Sequence, residues 1–365
     1  MIIQDIIAVL EKIAPAFLQE SYDNAGLITG NSGWQCTGII TTLDATEAVV
    51  QEAIDKKCNL IVAHHPIVFS GLKKITGKNY VEKTVIAAIK NDIAIYAIHT
   101  NLDNVLNGVN GKIADKLGLI NRQILQPKND TLKKLFTFVP VAQAEQVRSA
   151  VFAAGGGQIG QYSECSFNAA GSGTFKAAGG TTPFVGTIGE RHTEEEIKIE
   201  VIFPAWAEKP VITAMLAAHP YEEVAFDIIA LKNDNPLIGS GLIGELAEPV
   251  EEKALLQLVK TSFNLAVIKH TEFTGKPVKK IALCGGAGSF LIGAAIGAGA
   301  DCYISSDIKY HEFFDANGKL LIADIGHYES EQFTIDLLFD ILREKFPTFA
   351  VLKTGVKTNP VHYFL

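Results

Sequence analysis

The amino-acid sequence predicts an α/β protein of two lobes with a smaller α+β domain inserted into it. Three observations carry that expectation. Short apolar runs alternate with amphipathic segments in the first third of the chain and again in the last third, the pattern of a largely parallel sheet covered by helices. The middle third changes to a β-α-β-β-α-β order, a ferredoxin-like arrangement. Two polar, turn-rich runs, Gln126-Pro127-Lys128-Asn129-Asp130 and Lys232-Asn233-Asp234-Asn235-Pro236, bracket that part. The expected division is 1–128 with 236–365 as one discontinuous domain and 129–235 as the insertion.

Each element follows from local pattern. Ile2, Ile3, Ile6, Ile7, Val9, Leu10 and Ile13 recur at helical spacing, so an amphipathic helix over 2–13 opens the chain. Ser21 to Leu27 reads as a polar loop. Strands are expected at 38–43, 60–63 and 93–98, and helices at 46–57, 78–91 and 108–117. The insertion should hold strand 132–139, helix 142–154, a hairpin elaboration with short strands near 163–168, 173–177 and 184–190, strand 196–203, helix 206–218 and strand 224–231. Gly155-Gly156-Gly157 and Gly179-Gly180 mark its turns. From 237 the α/β pattern resumes, with strands at 237–246, 265–270, 279–284, 301–305, 319–324 and 349–353 and helices at 249–263, 288–298, 309–316 and 327–346. No sequence repeat at a short fixed period points to a solenoid.

Composition narrows the function. The 365 residues are 48% hydrophobic, ample for sizeable cores. A net charge of −8 argues against a general binder of nucleic acid or of membrane surfaces. Cys36, Cys58, Cys165, Cys284 and Cys302 are odd in number, scattered, and contain no CxxC pair. Neither a disulfide framework nor a cysteine zinc site is indicated, and a reducing cytoplasm fits best. The opening Met1-Ile2-Ile3-Gln4-Asp5 has no basic stretch ahead of an apolar core, so it does not read as a secretory signal. The apolar run from Phe290 to Ala300 is too short and too Gly-rich to span a bilayer.

Chemistry concentrates at strand exits, where α/β folds place their ligands. Leu60-Ile61-Val62-Ala63 runs into His64-His65-Pro66, and strand 93–98 runs into His99-Thr100-Asn101-Leu102-Asp103. Far downstream, His327 and Glu331 stand at i and i+4 of a helix and share a face. Imidazole with carboxylate suits zinc, iron, manganese or nickel, and paired ions ~3.5–4 Å apart activate water and clamp a phosphoryl or carbonyl oxygen. On spacing alone, the histidine pair reads equally well as polar loop surface. Cys284-Gly285-Gly286-Ala287-Gly288 opens a helix after a strand and lacks the Lys-Ser/Thr of a phosphate loop. A tight turn is the first reading; Gly286 could also lend its amide to a substrate phosphate. Asp307 caps a helix or lines the site, and His311 is surface or a proton carrier. His219-Pro220-Tyr221-Glu222-Glu223 reads as a turn before it reads as a metal site, since its histidine stands alone. His192, His270 and His362 read as structural or surface residues.

His64-His65-Pro66, His99 to Asp103 and His327-Tyr328-Glu329-Ser330-Glu331 together resemble the Nif-three-like family, dinuclear-metal hexameric proteins often labelled GTP cyclohydrolase type-two homologues. The likeness covers the whole outer domain, including Asp23-Asn24-Ala25-Gly26-Leu27, Leu43-Asp44-Ala45-Thr46, the Cys284 glycine loop and Ser306 to His311. Tyr22 stands where tryptophan is common in that family, and Ser306 where glycine is. The insertion resembles the PII/CutA-like module of the longer bacterial members. The resemblance implies two divalent ions held by His64, His65, Asp103, His327 and Glu331, with Asp103 and Glu331 bridging. It implies a ring-shaped homo-hexamer, a trimer of dimers, with its metal sites facing an internal cavity. Asp44, Gly286 and Asp307 are the candidate substrate contacts, and His99 and His311 the candidate proton shuttles.

Three functions follow from this reading. One is a metal-dependent hydrolase of a nucleotide or another small phosphate or cyclic amide. The second is a non-enzymatic regulatory or metal-handling protein whose insertion senses a ligand or gates the cavity. The third is a scaffold that binds partner proteins through the ring. An open, carboxylate-rich, cysteine-free site favours the first.

Overall fold

The apolar strand runs of the sequence pair into three sheets in the computed structural model, which describes residues 1–364. By internal contacts the chain divides into Met1–Pro127 with Pro236 onward, and Lys128–Asn235.

The first part of the larger unit opens on helix α1 (Ile3–Ile13), whose Ile3, Ile6, Ile7 and Leu10 are buried. Strand β1 (Gly26–Thr29) follows, beginning at the end of the stretch Ser21 to Leu27 that reads as loop in the sequence. Then come β2 (Ile39–Asp44), α2 (Glu47–Asp55), β3 (Leu60–His65), α3 (Tyr80–Lys90) and β4 (Ala94–Ala97). Thr46 caps α2 by accepting from the Val49 amide, and Asn79 caps α3 through the Glu82 amide. After the short helix α4 (Thr100–Asp103) come α5 (Val109–Leu117) and β5 (Ile120–Pro127). β4, β3 and β2 are parallel neighbours, and β1 closes the β4 edge antiparallel. Their core packs Ile40, Val50, Ile61, Val85 and Ile95.

The unit Lys128–Asn235 contains β6 (Leu132–Pro140), α6 (Ala144–Ala153), β7 (Phe167–Lys176), β8 (Arg191–Pro204), α7 (Glu208–Ala218) and β9 (Phe226–Ala230). The sheet order β7-β8-β6-β9 is antiparallel throughout, which is the split β-α-β order of a ferredoxin-like sheet. Leu135, Val147, Ile199, Phe203, Val211 and Met215 form its core. The hairpin elaboration differs from expectation. The two short strands foreseen near 163–168 and 173–177 are one long strand, β7, paired along its length with β8. Residues 184–190 lie outside any strand, because Gly186 and Gly189 take left-handed backbone there.

The chain returns to the larger unit with β10 (Gly239–Val250), α8 (Glu252–Ser262), β11 (Lys269–His270), β12 (Val278–Ala287), α9 (Ile292–Gly297), β13 (Cys302–Ser306) and β14 (Leu321–Asp324). It ends with α10 (His327–Glu331), α11 (Thr334–Lys345) and β15 (Val351–Lys353). β12, β13 and β14 are parallel, flanked by antiparallel β10, β5 and β11. β15 joins the first sheet beside β2. The helix expected at 309–316 is a 3-10 segment, Tyr310–Ala316, and the one expected at 327–346 breaks at Gln332-Phe333. Gly239 pairs with Pro127, so the chain leaves and re-enters this unit on neighbouring strands. Among the described residues no helix is long and apolar enough to cross a membrane.

Because the exit and return points adjoin, the larger unit should close without the intervening segment. Replacing 128–235 by a short Gly-Ser bridge is expected to leave a chain that melts in a single cooperative transition by circular dichroism. A broad, non-cooperative melt would show that the segment is needed for folding.

Candidate metal centre

The strand exits of both sheets in the larger unit converge. β3 ends in His64 and His65, β4 leads into His99 and then Asp103 of α4, and β14 leads into His327 and Glu331 of α10. Three overlapping trios result: His64, His65 and His99; His65, His327 and Glu331; His64, Asp103 and Glu331. Within each trio the donor atoms lie within 4.8 Å of one another.

Every histidine is held by its Nδ1, which leaves Nε2 for the centre. His64 Nδ1 donates to the Ile98 carbonyl oxygen at 2.8 Å, so Nε2 is the nitrogen that carries a lone pair in the neutral ring. Nδ1 of His65 meets Asp44 Oδ1 at 2.7 Å, that of His99 meets Asp23 Oδ1 at 2.7 Å, and that of His327 meets Asp307 Oδ2 at 2.7 Å. Outer carboxylates of this kind fix the tautomer and the ring plane of a metal-binding imidazole. Asp44 and Asp307, the candidate substrate contacts, therefore grip histidines. Asp307 does so from left-handed backbone, φ 54°, a conformation that Asp tolerates better than most residues. Asp23 was not singled out from the sequence as a site residue. Its signal lay in the Asp23-Asn24-Ala25-Gly26-Leu27 run.

Glu331 sits at the middle, only 3% exposed. Oε2 faces His65 Nε2 at 2.9 Å and His327 Nε2 at 3.2 Å, whereas Oε1 faces His64 Nε2 at 3.8 Å. Gly286 makes room for it: a Cβ there would overlap Oε1, and the backbone is left-handed at φ 63°. The Gly286 amide donates to Ser330 Oγ and the Gly285 amide to Asn110 Oδ1, so both are already bonded within the protein rather than turned to a phosphate. Ser306 Oγ donates to the Gly286 carbonyl and steadies the loop.

His64 Nε2 and Asp103 Oδ1 are buried without a hydrogen-bond partner and lie 3.6 Å apart. Two orphaned polar atoms aimed at one another in a protein interior are costly unless a third species joins them. A divalent cation does so, and imidazole with carboxylate is a donor set it accepts. The residues present fit a metal.

The charges say the same. Burial pushes His65 down, but the hydrogen bonds to Asp44 and Glu331 outweigh it and raise the pKa to about 10. Burial likewise opposes His327, and its bonds to Glu331 and Asp307 raise it to about 9. Burial and the Glu331 charge push Asp103 up to about 7. Burial would raise Glu331 as well, yet the bonds from His327 and His65 hold it well below the usual carboxylate range. Protons on the histidines stand in for the positive charge that a metal would bring.

His311 lies outside these trios. It is exposed on the 3-10 segment, with its ring against Tyr310 and Phe314. His219 is also taken: Nε2 donates to the Phe138 carbonyl and Nδ1 accepts from the Tyr221 amide. Beside the cluster, a cleft of about 510 Å³ is lined by Asp44, His65, Asp307 and His327, with Lys269 and Tyr363. Phe69 packs edge-on to His99 with ring centres 6.2 Å apart, and Tyr22 lies 6.3 Å from Phe69, which makes an aromatic rim.

Fold and site together define a discontinuous α/β protein whose strand exits gather histidines and carboxylates into a group able to hold a metal ion. The chain belongs to the Duf34/NIF3 (NGG1p interacting factor 3) family, whose description matches residues 1–360. A protein of Halalkalibacterium halodurans called GTP cyclohydrolase 1 type 2 homolog is 37% identical over 362 residues, 98% of this chain and 97% of the relative. One of the same name from Bacillus subtilis is 38% identical over 327 residues, 89% and 88% of the two chains. Among solved structures, a Bacillus cereus protein related to NIF3 superposes with a TM-score of 0.87 at 37% identity, covering 100% of this chain and 99% of that one.

Removal of the proton-bearing histidine bonds is part of metal uptake, so affinity should climb with pH. His65 and His327 have raised values and are charged in the metal-free protein at pH 7. Loading is then expected to release on the order of one to two protons per subunit at pH 7, and fewer as pH rises through 9 to 10. Calorimetry in buffers of different ionisation enthalpy reads this directly; release that does not fall between pH 7 and 10 would contradict the assignment. His64→Ala is expected to lower metal per subunit in elemental analysis with the fold intact. Asp44→Asn should weaken affinity by about 10–100-fold.

Proposed function

We propose that the protein holds two divalent ions on His64, His65, Asp103, His327 and Glu331 and hydrolyses a small phosphate or cyclic-amide substrate, a nucleotide above all. The observation that carries the reading is the position of Glu331. It belongs to two trios at once, and its two oxygens face different histidines, as those of a carboxylate shared by two ions would. Asp103 belongs to one trio and completes the His64 side. Bound there, a metal pair activates water and polarises the oxygen of the bond to be cut. The protein supplies the remainder. Asp44, Asp307 and Asp23 keep the imidazoles oriented, and His99, with Nδ1 tied to Asp23, offers Nε2 to move a proton. Tyr22 and Phe69 offer faces to a planar ring, and the adjoining cleft is lined by Lys269, whose Nζ is paired with Asp324 Oδ2 at 2.6 Å. Zinc, iron, manganese and nickel all suit these donors.

The same reading takes 129–235 as an inserted, PII/CutA-like domain, supported by its sheet order and by the adjoining entry and exit strands. It takes the assembly as a homo-hexameric ring, a trimer of dimers, consistent with exposed aromatic residues such as Tyr310, 74% exposed, and Phe314 on the larger unit. Five free cysteines suit a reducing cytoplasm, and an acidic site does not suit nucleic acid. A regulatory role, in which the insertion senses a ligand, is favoured by one observation: that unit holds a cavity of about 750 Å³.

The test is turnover by metal-replete protein against a panel of nucleotides and cyclic amides. His99→Asn is expected to lower kcat by roughly a hundredfold or more with little change in KM. Glu331→Gln should fall to the level of chelator-treated protein. A panel without any turnover would favour the regulatory role.

A further inference from the structure

The cavity in the unit Lys128–Asn235 shares no lining residue with the metal cluster and has the size of a small-molecule site. Its walls are aromatic. Phe138 comes from β6, Phe175 from β7, Phe184 from the segment that follows, and Tyr221 from the turn after α7. Tyr221 lies 6.0 Å from Phe175 and 6.3 Å from Phe184, ring centre to ring centre.

Of the five charged residues that line the cavity, Lys176, Glu196, Lys198, Glu222 and Glu223, only Glu196 is buried. Glu196 of β8 is 8% exposed, and Oε1 accepts from the Tyr221 hydroxyl at 2.9 Å. Its carboxylate lies across Gly173, where any Cβ would overlap it. Among the described residues no cation pairs with Glu196. Lys198, which also lines the cavity, donates to Glu200 at 2.8 Å, with its Nζ 4.6 Å above the Phe136 ring. The nearby imidazoles are committed as well, His219 to the Phe138 carbonyl and the Tyr221 amide, and His192 to Glu194. No imidazole is among the residues that line the cavity. A buried carboxylate with one phenol for company remains short of positive charge, and aromatic faces around it attract a cation further.

We infer that this cavity binds a small organic ammonium. The charged nitrogen sits at Glu196, and the apolar body lies against Phe138, Phe175, Phe184 and Tyr221. The Thr182 amide donates to Glu222 Oε2 at 3.0 Å, so the segment carrying Phe184 is latched to the turn that carries Tyr221. An occupant would contact both and couple them.

The probe is phenethylammonium, compared with the neutral 2-phenylethanol and the anionic 3-phenylpropionate, each titrated into the full-length protein by ligand-observed NMR. Phenethylammonium is expected to saturate at millimolar concentration or below. The alcohol should bind at least about tenfold more weakly, and the anion not at all. Glu196→Gln should reduce the ammonium to the level of the alcohol while metal content and thermal melt stay as in wild type. Phe184 is 50% exposed, so Phe184→Ala should fold, and it should weaken ammonium and alcohol alike. Equal binding of ammonium and alcohol, unchanged binding by Glu196→Gln, or no saturable signal from the ammonium would each overturn the inference. None of these readouts depends on turnover at the metal centre.

Discussion

A single buried carboxylate organises the larger unit. Glu331 lies almost wholly out of water with three imidazoles turned toward it. A carboxylate so placed is stable only when positive charge surrounds it. The histidines come from β3 of one sheet and from α10, which follows β14 of the other, and lie far apart in the chain. The electrostatic need of one side chain thus ties residues 64 and 65 to residues 327 and 331. Around this centre the structure spends its special backbone: Gly286 stands aside, Asp307 takes a left-handed turn, and Ser306 and Ser330 brace the loop.

The outer ring of aspartates orients the imidazoles before anything binds. Asp23, Asp44 and Asp307 each fix one imidazole by Nδ1, and a backbone carbonyl fixes the fourth. Asp44 is itself held by Thr358, and Asp23 by Thr100. Donors arranged in this way need little reorganisation when a cation enters. The two unpartnered atoms, His64 Nε2 and Asp103 Oδ1, are where that preparation is visible as a local cost.

Much of the architecture was legible in the sequence. Apolar runs such as Leu60 to Ala63 and Ile281 to Leu283 mark strands because a parallel strand is buried on both faces. Two elements were hidden. β1 is a short edge strand within a polar run, and β5 ends inside a stretch with the composition of a linker. Edge strands pair on one side only and carry little of the apolar signal. The long β7 of the unit Lys128–Asn235 reads as two short strands in the sequence; Gly173 within it lets Glu196 lie across the sheet.

The sequence by itself determined which residue types stand at strand exits. His64, His65, His99, Asp103, His327 and Glu331 were all visible there, because strand ends and helical spacing are local properties. Only the tertiary structure decided which of them meet. It drew His99 in, left His311 outside, and turned Asp44 and Asp307 from open carboxylates into partners of histidines. It also set Glu196 among aromatic rings that lie apart in the chain. Local pattern reports the period of an element and the chemistry of its ends. The distance between two ends is set by how whole sheets pack, and that belongs to no short stretch of chain.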